Sequence, residues 1–306
     1  MSKRLSNLLF LVATMIWGFA FIAQKQASVV PAFTVGALRS ILAAVFLLLI
    51  IPLTDKLTKN GRKLFTKTKP LDFNRHELIG GAVLGVIITV ATAFQQVGLE
   101  ETDAGKAAFI TVLYVVMVPI ISALLGKRPQ MSSIVGVCLA ILGFYFLCIK
   151  PGIGIEKHDL LVLVCALIFS FHIIAVDRLS PKCDGVRMSC VQFAVAFLLN
   201  GILALIFDDK TPLTLIISMI PSFLFLGIMS SGIAYTLQII GQKYVDPTVA
   251  SIILSLESVF GVIGAAIILG EKMSGREYIG CGIVFLAVLV SQIDFKELIK
   301  KAKSKE

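Results

Sequence analysis

Charged residues are scarce in this sequence of 306 residues, since Asp, Glu, Lys and Arg together make up only 15% of it. Apolar residues make up 57%, and the mean hydropathy is +0.94. A water-soluble domain of this length needs more polar surface, so the composition indicates an integral membrane protein. The apolar runs are continuous over about 17 to 24 residues instead of alternating over ten, which favours membrane helices over a β-barrel.

Several chemical signatures are also missing. The six cysteines include no CxxC pair, and His76, His158 and His172 are dispersed, so neither disulfides nor a metal site is expected. No GxxxxGK[ST] loop is present, which leaves an ion gradient or solute exchange as the energy source. The soluble segments are too short for a catalytic domain, and no nucleophile has a base at recognisable spacing. We therefore expect neither a cofactor nor enzymatic activity.

The net charge of +9 comes from basic residues between the apolar runs. They form no aromatic-interleaved basic face, so nucleic acid is not an expected partner. Placing both ends of the chain in the cytoplasm puts 20 Lys and Arg residues inside and seven outside, with Arg39 within a span. This asymmetry predicts a multi-pass protein of the cell membrane with both termini cytoplasmic, and with a basic cytoplasmic tail over 295–306.

Ten membrane helices are predicted from the apolar runs bounded by charge or proline. They are Leu5–Gln24, Phe33–Ile51, Leu78–Gly98, Ala107–Leu125, Ile134–Ile149, Leu160–Val176, Met188–Phe207, Ser222–Ile240, Thr248–Gly270 and Ile279–Ile293. Ten spans suffice for a monomer, and a homodimer is equally compatible with them.

The two halves of the chain resemble each other. Leu8–Ala23 aligns with Leu160–Ala175, and further on Asp103 aligns with Asp246 and Leu113 with Leu256. We interpret residues 5–150 and 158–294 as two repeats of five helices. Because five is odd, the second repeat must enter the membrane from the opposite side. Inverted repeats of this kind are typical of secondary transporters, although channels also have them.

One acid, Glu257, interrupts the ninth apolar run near its middle, at a depth close to the centre of the bilayer. A carboxyl group at that depth is costly unless it faces protein or water, pairs with another group or stays protonated. Glu257 is therefore the strongest candidate for a functional residue, ahead of a satisfied core acid. It is also the candidate proton-coupling residue.

The sequence resembles the EamA-type family of the drug/metabolite transporter superfamily. The resemblance is carried by WGFAFIAQKQA from Trp17, ALRSILAA from Ala37, a long stretch from Phe94 to Pro129, and another from Tyr235 to Lys272. It implies a ten-helix transporter of small organic solutes, often an exporter, with a central cavity between the halves. Similar proteins commonly have proline after the acid of the ninth helix, where this chain has Ser258, so a kink there is an open question.

Candidate substrate-binding residues follow from depth and from the repeat. Tyr114 is the counterpart of Glu257, and the two should meet near one central plane. Trp17 and Phe169 correspond in the first and sixth spans and offer aromatic surface to a solute. His172 would share a proton with Glu257 if their helices touch, or would be a core histidine bonded to a backbone carbonyl.

Further polar residues interrupt the spans. Tyr235 and Gln238 lie toward the inner end of the eighth span, and Gln95 and Gln96 near the outer end of the third. They would line exits or join helices by hydrogen bonds. Arg39 is expected to reach the lipid headgroups or to form a structural pair, with attraction of an anionic group as the alternative.

These observations favour a secondary transporter that moves a small-molecule substrate by alternating access, and export is the expected direction. One alternative is a flippase-like protein or enzyme that handles a lipid-linked substrate in the same cleft. Another is a non-transporting scaffold or sensor, which would tolerate substitution of Glu257.

Overall fold

The computed structural model of the chain describes residues 2–59, 72–102, 104–127, 129–148, 156–268, 274–291 and 293. Every regular element within those ranges is a helix, so the predicted all-α class is confirmed there. Residues 295–306, the predicted basic tail, lie outside the described residues, as does much of the loop between the second and third spans.

The described part of the first half contains six helices. They are α1 (Lys3–Ala27), α2 (Ala32–Lys59), α3 (Arg75–Glu101), α4 (Ala104–Thr111), α5 (Tyr114–Leu124) and α6 (Met131–Cys148). Side chains cap the starts of α1 and α3. At α3, for example, Asn74 accepts from the N–H of Glu77, whose carboxylate accepts in return from the N–H of Asn74.

The second half contains more pieces. They are α7 (Lys157–Leu179), α8 (Gly185–Phe207), α9 (Leu213–Ser218), α10 (Ile220–Leu224), a π-helix (Phe225–Ala234), α11 (Tyr235–Gln242), α12 (Pro247–Leu254), α13 (Leu256–Ile268) and α14 (Gly275–Ser291). Helices α10 and α11 and the π-helix between them form the eighth predicted span, while α12 and α13 form the ninth.

Eight of the ten predicted spans are helices long and apolar enough to cross a membrane. The fifth and tenth positions are occupied by shorter apolar helices, Met131–Phe146 and Tyr278–Ser291. Large apolar side chains face outward on the spans, including Leu49 of α2 at 69% exposure and Leu205 of α8 at 89%. Because so much apolar surface is stable in lipid and not in water, the chain is a multi-pass membrane protein.

Contacts between the two halves come in matched pairs. Helix α1 packs on α13, and its counterpart α7 packs on α5. Helix α3 packs on α8, and the corresponding π-helix packs on α2. Two further contacts join equivalent helices, α2 with α8 and α6 with α14. An approximate two-fold relation between the halves produces pairing of this kind.

An aspartate holds each end of the contact between α2 and α8. At one end, Asp55 accepts from Nη1 of Arg187 at 3.0 Å and from Nη2 at 2.8 Å. At the other end, Asp208 accepts from the backbone N–H of Thr34 at 2.6 Å and from its hydroxyl at 2.7 Å. The spacing from Asp55 to Asp208 equals that from Thr34 to Arg187, so the two pairs occupy equivalent places in the two halves.

The fourth and ninth spans are each interrupted just before a cavity residue. The fourth breaks immediately before Tyr114, and the helix then continues through Pro119. The ninth breaks at Ser255, just ahead of Glu257, although no proline follows the acid. The hydroxyl of Ser255 donates to the carbonyl of Ile252 at 2.7 Å, a bond type that bends helices. The sequence does not decide whether the ninth span bends beside Glu257, and the structure shows that the helix is interrupted there without a proline.

The π-helix over Phe225–Ala234 is a feature that the sequence analysis does not anticipate. Its hydrogen bonds run from residue i to i+5, so each turn holds more residues than an α-helical turn. Adjacent side chains therefore diverge by a smaller angle, and the neighbours Ser230 and Ser231 both reach one partner, Arg39. π-helical turns are frequent at functional sites, and this one borders the central cavity.

Candidate functional site

A cavity lies between the two halves, and the space in it that is free of protein atoms is about 470 Å³ when the part open to solvent is included. Residues of both halves line it, including all seven that the sequence predicts to bind the solute: Trp17, Tyr114, Phe169, His172, Tyr235, Gln238 and Glu257. The structure thus brings these side chains to one place. Their role in binding a solute stays a prediction.

Glu257 is held by its counterpart in the other repeat. The hydroxyl of Tyr114 donates to Oε1 of Glu257 at 3.1 Å, and both residues are buried, at 4% and 6% exposure. Because each is among the first residues after a helix break, the breaks present the two side chains to the cavity from opposite halves. The carboxyl group therefore has a protein partner and also borders open space.

Tyr235 is the centre of an aromatic cluster on one wall of the cavity. Its ring centroid lies 4.7 Å from that of Trp17, 5.7 Å from His172 and 5.6 Å from Phe193. The indole N–H of Trp17 donates to the backbone carbonyl of Ser230 in the π-helix at 3.4 Å. This wall fixes the orientation of the indole and gives a solute a flat apolar surface.

His172 lines the cavity but does not bond to Glu257. Its Nε2 donates to Oε1 of Gln192 at 3.3 Å, and the side chain is fully buried. His172 therefore has neither expected partner among the described residues: it bonds to a side-chain amide instead of to Glu257 or to a backbone carbonyl. Gln238 donates to Gln242 at 3.3 Å, while its own Oε1, buried, has no partner among the described residues.

The expectation that Arg39 reaches the lipid headgroups is wrong. Its side chain turns inward and is 5% exposed, and it lines the central cavity. Nη1 donates to Oε1 of Gln24 at 2.8 Å, Nε to the hydroxyl of Ser231 at 2.9 Å and Nη2 to that of Ser230 at 3.2 Å. Three polar side chains within reach make the interior a lower-energy position than an extended path to the headgroups.

The two glutamines of the third span join helices. Gln95 donates to the hydroxyl of Thr111 at 3.2 Å and also lines the cavity, and Gln96 donates to the backbone carbonyl of Gln24 at 3.2 Å. Gln24, Thr111 and Ser230 are cavity residues that the sequence analysis misses. The sequence does contain a weak indication that they line the cavity, because each is a polar residue within an apolar run.

The site has the chemistry of a binding cavity. Its polar groups are one carboxyl, one guanidinium, three amides and several hydroxyls, set against an aromatic wall. Among the described residues no group of three His, Cys, Asp or Glu side chains could hold a metal ion. Such a mixture of apolar surface and few fixed polar groups is typical of sites for small organic molecules.

Known proteins resemble this chain along most of its length. An uncharacterized transporter of Archaeoglobus fulgidus is 33% identical over 211 residues, which is 69% of this chain and 67% of the relative. An uncharacterized transporter of Methanothermobacter thermautotrophicus is 27% identical over 90% of this chain and 82% of the relative. A crystal structure described only as that of a protein has a TM-score of 0.72, covering 95% of this chain and 97% of the other. At 19% identity, that likeness shows the fold alone.

The family comparison is consistent with the two halves seen in the sequence. The EamA-like transporter family matches the chain twice, first over residues 4–149 and again over residues 157–292. Together the two matches span nearly the whole length, on either side of the junction between α6 and α7. The chain therefore belongs to the EamA-like transporter family.

Proposed function

We propose that this protein is a secondary transporter of the cell membrane, working as an exporter that moves a small organic solute by alternating access. The observation that carries the proposal is the buried contact between Tyr114 and Glu257 inside a polar cavity. A carboxyl group at that depth is costly, and it is kept for ion or substrate pathways in membrane proteins. Here it lies where the two repeats meet.

The matched contacts between the halves support alternating access. If residues 5–150 and 158–294 are two inverted five-helix repeats, they are able to exchange conformations and open the central cavity to each side in turn. Ten spans and cytoplasmic termini are part of this proposal. Accessibility of single cysteines placed in the loops, probed from each side of the membrane, tests the orientation.

Glu257 is the proposed proton carrier. In one state its carboxyl would be ionised and exposed to one bath, and in the other protonated and bonded to Tyr114. The neighbouring groups suit this role, because Trp17, Tyr235 and Phe169 keep that part of the cavity apolar while Tyr114 supplies one hydrogen bond.

The experiment begins by finding a solute. The purified protein is screened for thermal stabilisation by amino acids, nucleobases, polyamines, aromatic cations and organic acids, since a specific ligand raises the melting temperature by mass action. The protein is then placed in liposomes with a trapped pH-sensitive dye, and the solute is added outside. We expect solute movement to change the internal pH in the wild type.

Glu257→Gln is the decisive variant. The amide keeps the shape of the side chain and its hydrogen-bond acceptor, but it neither gains nor loses a proton near neutral pH. We expect it to bind solute and to lose solute-driven proton movement. Asp209→Asn is the matched control, an equivalent change at an exposed loop position. Full proton-coupled transport by Glu257→Gln would refute the proton role. Transport only of lipid-linked molecules, or of nothing, would favour the flippase-like or scaffold alternatives.

A further inference from the structure

Arg39 is a buried cation with neutral partners. Its three hydrogen bonds go to an amide oxygen and two hydroxyls, those of Gln24, Ser231 and Ser230. Within the described part of the chain it forms no ion pair, in contrast to Arg187, which is fully buried and binds Asp55. An uncompensated charge in a low-dielectric interior is unfavourable, so Arg39 needs a counter-charge from outside the described protein.

The guanidinium also has hydrogen-bonding capacity left. An arginine has five N–H groups, and three bonds account for one on Nε, one on Nη1 and one on Nη2. One N–H remains on each terminal nitrogen, and Arg39 borders the cavity. Each of these two N–H groups is able to donate to a carboxylate oxygen, and a hydrogen bond between guanidinium and carboxylate is stronger than one to a neutral group.

We propose that Arg39 is the anion-binding residue of the cavity and that the transported solute carries a carboxylate. This inference rests on the proposed function and narrows its substrate class to small carboxylate-bearing molecules. Binding of the solute supplies the charge that Arg39 lacks. Glu257 is the other charged group among the described residues that line the cavity, and it is bonded to Tyr114 instead.

The remaining surface suits the body of such a molecule. The aromatic side chains of Trp17, Tyr235 and Phe169 offer apolar contact, and Oε1 of Gln238, which has no partner among the described residues, is able to accept from a donor on the solute. Plain organic acids and amino acids share the carboxylate, and the experiment separates them.

The full-length protein in detergent is titrated with matched pairs of probes. Benzoate and phenylacetate are compared with benzamide and phenylacetamide, and leucine with leucinamide. The readouts are the melting temperature and the fluorescence of Trp17, which is the only tryptophan in the chain and lies in the cavity. We expect the carboxylates to bind and their amides to bind about 10- to 100-fold more weakly, the range for a lost hydrogen bond to a charged group.

The variant Arg39→Gln should lose this preference, while Arg39→Lys should retain part of it because the charge remains. Arg276→Gln is the matched control, since it removes an arginine that lies over the ring of Tyr145, outside the cavity. Should Arg39→Gln fail to fold, the comparison of acids with amides in the wild type still decides.

Three results of the titration would overturn the inference: equal binding of acids and amides, unchanged carboxylate affinity in Arg39→Gln, or stabilisation by chloride without any carboxylate preference. Binding of phenylacetate but not leucine would assign plain organic acids, and the reverse would assign amino acids, both in agreement with the proposal. Proton-coupled transport of a neutral or cationic solute would leave the proposed function standing and refute the role of Arg39. Carboxylate binding without any transport would support the role of Arg39 and refute the proposed transport function.

Discussion

Replacing Gly18 with alanine adds one methyl group to the contact between α1 and α13, beside the cavity. A Cβ atom at Gly18 would lie 2.6 Å from Cβ of Phe260 and 2.7 Å from the backbone nitrogen of Gly261. Carbon atoms in contact are separated by about 3.5–4.0 Å, so the two helices must move apart by roughly 1 Å. Since the atoms in the way are backbone and Cβ atoms, no rotamer change relieves the contact.

The expected cost is that of overpacking, about 1–3 kcal/mol. Alanine is also a better helix former than glycine by about 1 kcal/mol, which offsets part of that cost. Gly261→Ala is the matched control on the facing helix, because its Cβ would lie 3.6 Å from the carbonyl oxygen of Gly18 and 3.8 Å from Cβ of Ala108. That variant gains the same helix propensity without the close contact.

Both variants are unfolded by heat in detergent micelles and followed by the fluorescence of Trp17, the residue before Gly18. We expect Gly18→Ala to melt several degrees below Gly261→Ala, and its Trp17 emission in the folded state to differ from that of the wild type. Equal melting temperatures would show that α1 and α13 do not approach as closely as described. Such a result would also weaken the placement of Trp17 beside the helix of Glu257.

Three further predictions concern other contacts. Arg187→Met should lower the free energy of unfolding by about 3–5 kcal/mol because it leaves the buried carboxylate of Asp55 unpaired. Combining it with Asp55→Leu should recover most of that loss in the same denaturation assay. No recovery in the double variant would refute the pairing. Burial raises the pKa of the Cys183 thiol to about 11, so about a thousandth of it is ionised at pH 8. Iodoacetamide should therefore label this cysteine only after the protein is unfolded in SDS, which peptide mass spectrometry measures. Tyr114→Phe removes the donor to Glu257 and should cost about 1–3 kcal/mol of stability, and an unchanged melting temperature would contradict the hydrogen bond.

The positions of the helices could be read from the sequence because charge and proline bound each apolar run. The contact between Tyr114 and Glu257 could also be anticipated, because the internal repeat assigns the two residues to equivalent places. Helix ends were predicted short, as in the second span, where Phe33–Ile51 was expected and Ala32–Lys59 is helical. Polar residues continue a helix into the headgroup region, where hydropathy gives no signal.

The inward direction of Arg39 could not be predicted in the same way. In a soluble helix the apolar face marks the core, but in a membrane lipid and core are equally apolar, so periodicity does not show which face is inside. The π-helix could not be predicted from the sequence for a related reason. It depends on the fit of Ser230 and Ser231 to Arg39 and of the backbone to Trp17, which are contacts between distant parts of the chain.

The meeting of Tyr114 with Glu257 has a consequence for how a duplicated protein can diverge. Residues next to a symmetry axis face their own copies, so two identical halves would set glutamate against glutamate or tyrosine against tyrosine. Two acids in contact repel each other unless they share a proton. With one residue of each type, the pair has a single donor and a single acceptor. Fusion of the halves into one gene product allows this difference, which a homodimer of either half would be unable to achieve.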